Sequence, residues 1–196
     1  IASPAVDGDA IYIASTNGDG NGINLIEMQR AVTIDNYDWD GGATGLGALL
    51  ITDAAAQGGV TLSNSAVGDD NLFTGGTVGA AYAINIQNSA GTHNVTGTLV
   101  QNMGGDSIVV NDGNANLNFT GRITQTANNA SILSVTGGHE GSLTFTELTA
   151  NQGVIQATTG DGLQFDDADG NYTFNHKVEF TGTSSAINVV NDSDAV

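Results

Sequence analysis

The sequence lacks several features from which function is usually inferred. It contains no cysteine, so disulfide bonds and thiol redox chemistry are excluded. It contains a single proline, and aromatic residues make up only 6% of the chain. No stretch is long and apolar enough to cross a bilayer, so we expect no membrane insertion.

Basic residues are nearly absent as well. Arg30, Arg122 and Lys177 are the three basic residues against 21 acidic ones, which gives a formal net charge of −18 at pH 7. Nucleic acids and anionic membranes are bound through clusters of lysine and arginine. We therefore expect no nucleic-acid partner, whereas the acidic surface favours the uptake of cations.

What the sequence does contain is a repeat. Residues 83–86 (Ala-Ile-Asn-Ile) recur as residues 107–110 (Ser-Ile-Val-Val). Residues 93–99 recur as residues 117–123, so both halves of the unit return after 24 residues. A period of this length is typical of a solenoid, in which each repeat stacks on the one before it.

Further copies follow downstream. Residues 131–134 repeat the first half of the unit after another 24 residues, which predicts that Ile132 stacks on Ile108. Residues 172–178 match residues 117–123 position for position.

Upstream, the copies are looser. Residues 22–25 and 48–51 resemble the opening strand, and residues 73–78 resemble residues 95–99 with one glycine inserted. The array fills nearly the whole chain. We therefore predict one domain over residues 1–196, which we interpret as a slice of a longer or polymerising chain.

The unit is made of short strands. Ile84 and Ile86 share one face of an extended segment, and Asn85 between them faces the other way. Glycine, asparagine and aspartate separate such segments and favour turns. A β-sandwich or antiparallel barrel also has short strands, but neither requires like residues at one spacing. A β-helix does, because strands of successive coils stack about 4.8 Å apart.

These observations predict an all-β fold, a right-handed parallel β-helix of about seven coils with three short strands per coil. Side chains that recur at the same position of the repeat should stack in inward columns and build a continuous core. The predicted columns are Ile84, Ile108 and Ile132, and Val95, Phe119, Phe145 and Phe174.

Residues 131–146, and residues 160–165 leading to 171–174, resemble the right-handed parallel β-helix repeats of very large secreted or surface-attached bacterial proteins. These include adhesin-like and autotransporter-passenger-like chains. The resemblance implies a secreted or cell-surface location in a bacterium, and a role in display, adhesion or matrix-building. It carries no catalytic residues over to this chain.

Two loops have oxygen-bearing side chains at alternate positions next to glycine, a pattern that suits calcium. Neither loop has the glutamate that closes a twelve-residue calcium loop, and a solvated polar turn is the alternative interpretation. The candidate calcium ligands are Asn17, Asp19 and Asn21 in the first loop, and Asp166, Asp167, Asp169 and Asn171 in the second.

The sequence gives little support for a catalytic activity. Three fragments resemble the motifs of β-helix polysaccharide hydrolases, but they occur in reversed order: Arg122-Ile123, Gly138-His139 and Asp166-Asp167. We therefore expect no enzymatic activity. His93, His139 and His176 are interpreted as structural histidines or turn residues rather than ligands. Trp39 is interpreted as a core residue, with stacking on a sugar ring as the alternative.

The last copy of the repeat opens with Ala186, Ile187, Asn188 and Val189, and these residues are the predicted self-association site. An uncovered coil exposes unpaired backbone groups and the edge of the core. Continuation of the same chain, or head-to-tail stacking of copies, would cover it. The hypothesis is thus an extracellular structural or adhesive module that forms a rod or filament. The alternative is a carbohydrate-binding or polysaccharide-cleaving β-helix, with a glycan as partner.

Overall fold

The computed structural model describes residues 11–14, 21–42, 44–64, 71–74, 81–102, 104–125, 130–146, 154–175, 177–181 and 185–193. Twenty β-strands occupy these residues and form three sheets. Sheet A contains β1 (Ile11–Ala14), β4 (Tyr37–Asp40), β7 (Asn71–Thr74), β10 (Leu99–Gln101), β13 (Ile123–Gln125), β16 (Val154–Ala157) and β19 (Lys177–Phe180). Sheet B contains β2 (Asn21–Ile26), β5 (Gly47–Thr52), β8 (Tyr82–Ser89), β11 (Ile108–Gly113), β14 (Leu133–His139), β17 (Leu163–Ala168) and β20 (Ile187–Val190). Sheet C contains β3 (Val32–Asp35), β6 (Val60–Ser63), β9 (Thr92–Val95), β12 (Asn116–Phe119), β15 (Ser142–Thr146) and β18 (Asn171–Asn175).

The chain visits the three sheets in turn, and each strand pairs in parallel with the strand three places further along. One passage through sheets A, B and C is one coil. The fold is therefore an all-β parallel solenoid with three strands per coil, as predicted. The parallel pairing excludes the sandwich and the antiparallel barrel. The right hand of the solenoid stays a prediction, in line with the usual hand of parallel crossovers.

The predicted inward column of sheet C is confirmed. Val95 pairs with Phe119, Phe119 with Phe145, and Phe145 with Phe174. The rings of Phe119 and Phe145 stack with centroids 4.5 Å apart and planes 6° apart. The spacing between coils thus equals the stacking distance of aromatic rings, which favours phenylalanine in consecutive coils.

The predicted column of sheet B is wrong at one position. Ile108 pairs with Leu133, 25 residues later, and not with Ile132. The neighbouring sheet A pair, Leu99 with Ile123, keeps the offset of 24. One extra residue therefore lies between Gln125 and Leu133. Ile132 is also buried, so two apolar neighbours concealed the shift in the sequence.

The assignment of residues 73–78 is also wrong. Phe73 lies in sheet A, where it pairs with Gln101, and the sheet C strand that stacks on Val95 is β6 of the preceding coil. The similarity to residues 95–99 arises because strands of all three sheets alternate apolar and polar residues. A local match therefore does not reveal to which sheet a strand belongs.

The expected number of about seven coils is too high for the closed part of the solenoid. From β3 to β17 each strand buries inward side chains; these fifteen strands make about five coils. The strands beyond them are less covered: Phe174 of β18 is half-buried, and Ile187 of β20 is exposed. A strand at the end of the stack has a neighbouring coil on one side only.

Candidate functional site

The corner between sheets B and C carries a column of residues with positive φ. The column lies just beyond the paired stretches of sheet B, one residue per coil, with φ between 43° and 70°. It consists of Glu27, Asp53, Asn88, Asp112, Gly137, Asp167 and Asn191. Asparagine, aspartate and glycine tolerate this conformation better than most residues. The turn therefore accounts for much of the acidity at this corner.

Amide groups separate some of the carboxylates in this column. The Asn88 side-chain amide donates a hydrogen bond to Asp53 Oδ1 at 2.6 Å, across adjacent coils. The Asn191 amide donates at 2.7 Å to Oδ1 of Asp166, which precedes the column residue Asp167. Each bond places a donor beside a carboxylate, which reduces repulsion between like charges that stack about 4.8 Å apart.

A groove of about 360 Å³ runs beside the same corner. Its polar lining includes the exposed side chains of Asn88, Asp112, Asn114 and Glu140. These groups offer amide donors and acceptors together with two carboxylates. Such a lining suits the hydroxyl groups of a neutral ligand or a hydrated cation better than an anion.

The structure places the predicted calcium ligands only in part. Asn17 and Asp19 lie outside the described residues, and Asn21 opens β2. In the second loop, Asp166 accepts the bond from Asn191, and the other three residues are exposed: Asp167, Asp169 and Asn171. Among the described residues, no group of three or more histidine, aspartate or glutamate side chains could hold a metal ion. Calcium binding stays a prediction.

His139 is a structural residue. It is fully buried, its Nε2 lies 3.0 Å from the Ala115 carbonyl oxygen, and its Nδ1 lies 3.1 Å from the Tyr172 hydroxyl. The Tyr172 hydroxyl donates to the His139 carbonyl and accepts from the Gly170 N–H, both at 3.1 Å. Burial lowers the pKa of His139 and raises the pKa of Tyr172 to about 12.

His93 belongs to the core as well, whereas His176 lies outside the described residues. His93 occupies the column position that Leu117 fills in the next coil, and its Nδ1 accepts the Val60 N–H at 3.2 Å. Burial lowers the pKa of His93, so the ring stays neutral in the folded chain near neutral pH.

Two of the three hydrolase-like fragments are neighbours in the structure, because β14 pairs with β17 and His139 lies opposite Ala168, next to Asp167. His139 is buried inside the solenoid, whereas Asp167 is exposed at the corner. Arg122 precedes β13 on the way to sheet A and donates to Gln156 Oε1 at 2.9 Å. The absence of enzymatic activity stays a prediction.

Trp39 is a core residue. Only 2% of its surface is exposed, and it lies against Gly22, Gly41 and Gly45, where a Cβ would overlap the indole ring. The indole is thus not available to stack on a sugar, and the glycines are explained by the space that it takes.

The outer face of sheet C presents a column of uncharged polar side chains. These are Thr33, Thr61, Asn94, Asn118, Thr144 and Thr173. The Asn118 amide donates to Asn94 Oδ1 at 3.0 Å across adjacent coils. In a chain of net charge −18 this face is unusual, because its central column has no ionisable group.

The predicted self-association residues lie at one end of the stack. Within the described chain, β20 pairs only with β17, so its other edge is open. Ile187 and Val189 are 62% and 53% exposed, although they stack on the buried side chains of Leu163 and Phe165. Ala186 and Asn188 are exposed beside them. The core columns thus continue to an uncovered end face.

Comparison with known protein families, curated proteins and solved structures found no match to this chain. No helix long and apolar enough to span a bilayer occurs in the described segments. The chain is therefore assigned to the parallel β-solenoids by its architecture. The resemblance to bacterial surface proteins depends on the type of repeat alone.

Proposed function

We propose that this chain is a structural module that builds rods by association of its ends, on the surface of a bacterium or in its extracellular matrix. The observation that supports this proposal is the open end of sheet B, where Ile187 and Val189 prolong the core into solvent. A structural role also agrees with the buried histidines.

The physical reason is the cost of an open end. The outer edges of β18, β19 and β20 carry backbone N–H and C=O groups that a further strand would pair. Exposed aliphatic side chains add a hydrophobic contribution of about 25 cal/mol for each Å² that a partner covers. Solenoids normally need polar capping repeats at their ends, and a partner coil serves the same purpose.

The extracellular location is inferred from the composition of the chain and from its type of repeat. Resemblance to secreted and surface-attached bacterial repeats supports an adhesin-like or passenger-like setting. A rod displayed outside the cell would expose its acidic corner and its polar sheet C face to other molecules, which suits adhesion.

The test is to measure the size of the particles that the chain forms in solution as the protein concentration rises. We expect sedimentation velocity and electron microscopy to show rods whose length grows with concentration. Ile187→Lys should leave single chains, because it places a charge on the open core edge. Thr96→Lys, at an exposed position in the middle of the solenoid, is the matched control and should assemble like the wild type. Single chains at every wild-type concentration would contradict the proposal.

A second candidate function is the binding of a neutral glycan, and the groove at the B–C corner favours it. Asn88 and Asn114 provide amide groups that suit sugar hydroxyls. Titration calorimetry with neutral oligosaccharides would test this function. The Asn114→Ala change should weaken binding roughly threefold to tenfold, the usual value of one hydrogen bond. Equal affinity in wild type and variant would exclude the groove as the binding site.

A further inference from the structure

The exposed apolar residues of the described chain are concentrated on two strands. Five large hydrophobic side chains are exposed, and four of them lie on β2 and β20, the two end strands of sheet B. They are Ile26, Ile187, Val189 and Val190, with exposures of 60%, 62%, 53% and 39%. The two end faces of sheet B therefore share a property that its inner strands lack.

One column of sheet B shows how these residues fit together. Ile26 and Val190 occupy the same outward position at opposite ends of the sheet. In the five coils between them this position is polar: Thr52, Gln87, Asn111, Thr136 and Asp166. In this column an aliphatic residue thus occurs only on the two strands that end sheet B in the described part of the chain. If the ends of two copies met, Ile26 would pack against Val190.

The inward columns of sheet B are also complementary at the two ends. Ile23 and Leu25 of β2 begin the columns that Ile187 and Val189 of β20 finish, with aliphatic or aromatic residues at every step between. Placing β2 of one copy on β20 of another would repeat the same pairing once more. At the corner, Glu27 would then lie beside Asn191, an amide beside a carboxylate as in the Asn88–Asp53 bond.

A reversed contact fits less well. A two-fold rotation that brings β20 against its own copy reverses the order of the sheets around the axis. Sheet B would meet sheet B, but sheet A would meet sheet C, whose strands differ in length: four residues in β19 and five in β18. A parallel contact keeps each sheet continuous across the junction.

We infer that the partner of the open end is a second copy of this chain, added coaxially and in parallel, so that its β2 pairs with β20 and its Ile26 packs against Val190. This inference rests on the proposed rod-forming function and specifies its junction. The contact is heterologous, because two different surfaces meet, and it therefore extends into a filament rather than closing into a dimer.

The absence of cysteine from the chain allows a direct test by disulfide trapping. Laterally adjacent residues of parallel strands lie about 4.8 Å apart, within the Cα separation that a disulfide tolerates. An Ile26→Cys chain and a Val190→Cys chain would be mixed and mildly oxidised. We expect a disulfide-linked pair that contains one chain of each kind, with a yield at least about tenfold above that of either chain alone. Asn24→Cys with Asn188→Cys is a second pair from the neighbouring outward column.

Thr33→Cys mixed with Val190→Cys is the matched control, because Thr33 is exposed on the end strand of sheet C. This mixture should give no disulfide-linked pair of the two variants. Self-linked Val190→Cys chains would show a tail-to-tail contact and overturn the inference. Rods that form without a trapped pair at either position would overturn the parallel register and leave the rod-forming function intact. Absence of rods in the wild type would refute the function itself.

Discussion

The middle and the end of the solenoid have the same residue pattern but differ in burial. Phe119 in β12 and Val110 in β11 are fully buried, because a coil lies on each side of them. Phe174 in β18 is half-buried, and Val189 in β20 is 53% exposed, although they stand at equivalent positions. Burial in this fold is therefore a property of the neighbouring coil more than of the residue. The same sequence motif makes a core in one place and an exposed edge in another.

The largest expected effect is the loss of a ring in the middle of the stack. Phe119→Ala should lower the free energy of unfolding by about 3–5 kcal/mol, because a large buried side chain leaves a cavity. Phe174→Ala removes the same ring from a half-covered position and should cost clearly less. Chemical denaturation of both variants measures the difference. Equal losses would show that the end coil is covered as fully as the middle one.

The buried histidines should make the middle of the solenoid sensitive to acid. Burial lowers the pKa of His93 and His139, whereas the unfolded chain takes up protons on both rings below about pH 6.5. Their contribution to stability is thus complete above that pH and is lost as the pH falls toward the folded pKa. Each ring adds a slope of at most about 1.4 kcal/mol per pH unit. The unfolding free energy between pH 7.5 and 5 measures it.

His93→Leu provides the control for the acid sensitivity. Leucine stands at the same column position in the two following coils, as Leu117 and Leu143. The variant should show a smaller slope below pH 6.5, at the cost of the bond from the Val60 N–H. If the unfolding free energy of the variant has the same dependence on pH as that of the wild type, His93 does not cause the acid sensitivity.

A smaller effect is expected at the corner between sheets B and C. Asp112 has a φ of 60°, which glycine adopts freely and a β-branched residue does not. Asp112→Gly should therefore leave stability nearly unchanged, while Asp112→Val should cost about 1–2 kcal/mol. Thermal melting of the two variants compares them. Similar losses would mean that the carboxylate, rather than the backbone, determines the residue at this position.

The smallest effect concerns calcium at Asp166, Asp167, Asp169 and Asn171. If the loop binds calcium in the folded state alone, calcium should raise the melting temperature above that in sodium chloride of equal ionic strength. Asp169→Asn should reduce the difference. Coincident melting curves would mean that the loop does not bind calcium and that both salts act only by screening the net charge of −18.

The sequence was sufficient for the columns of sheet C, because Phe119, Phe145 and Phe174 are rare residues at a recognisable position. It failed at Ile132, where two adjacent apolar residues conceal an extra residue in the connection. Along sheet B, the offset between stacked residues varies from 24, from Ile84 to Ile108, to 35, from Leu49 to Ile84. A search for one fixed period cannot follow such variation.

The residues of the proposed junction were only partly visible in the sequence. Ile187 and Val189 were found because they continue the inward pattern. Ile26 and Val190 were not, since an aliphatic residue at an outward position is informative only when the register shows that both stand on open edges. The acidic corner could have been predicted from the sequence, because an aspartate or asparagine stands near the end of many sheet B strands.

The direction of the hydrogen bonds in this fold has a mechanical consequence. Strands run across the solenoid, and the bonds between coils run along its axis. A pull along the axis therefore loads one strand at a time, so coils should peel away singly at low force. A coil of 24 residues would release about 80 Å of extended chain in place of a rise of about 4.8 Å. A rod of such coils would resist bending, yet under axial tension it would lengthen step by step and absorb the load.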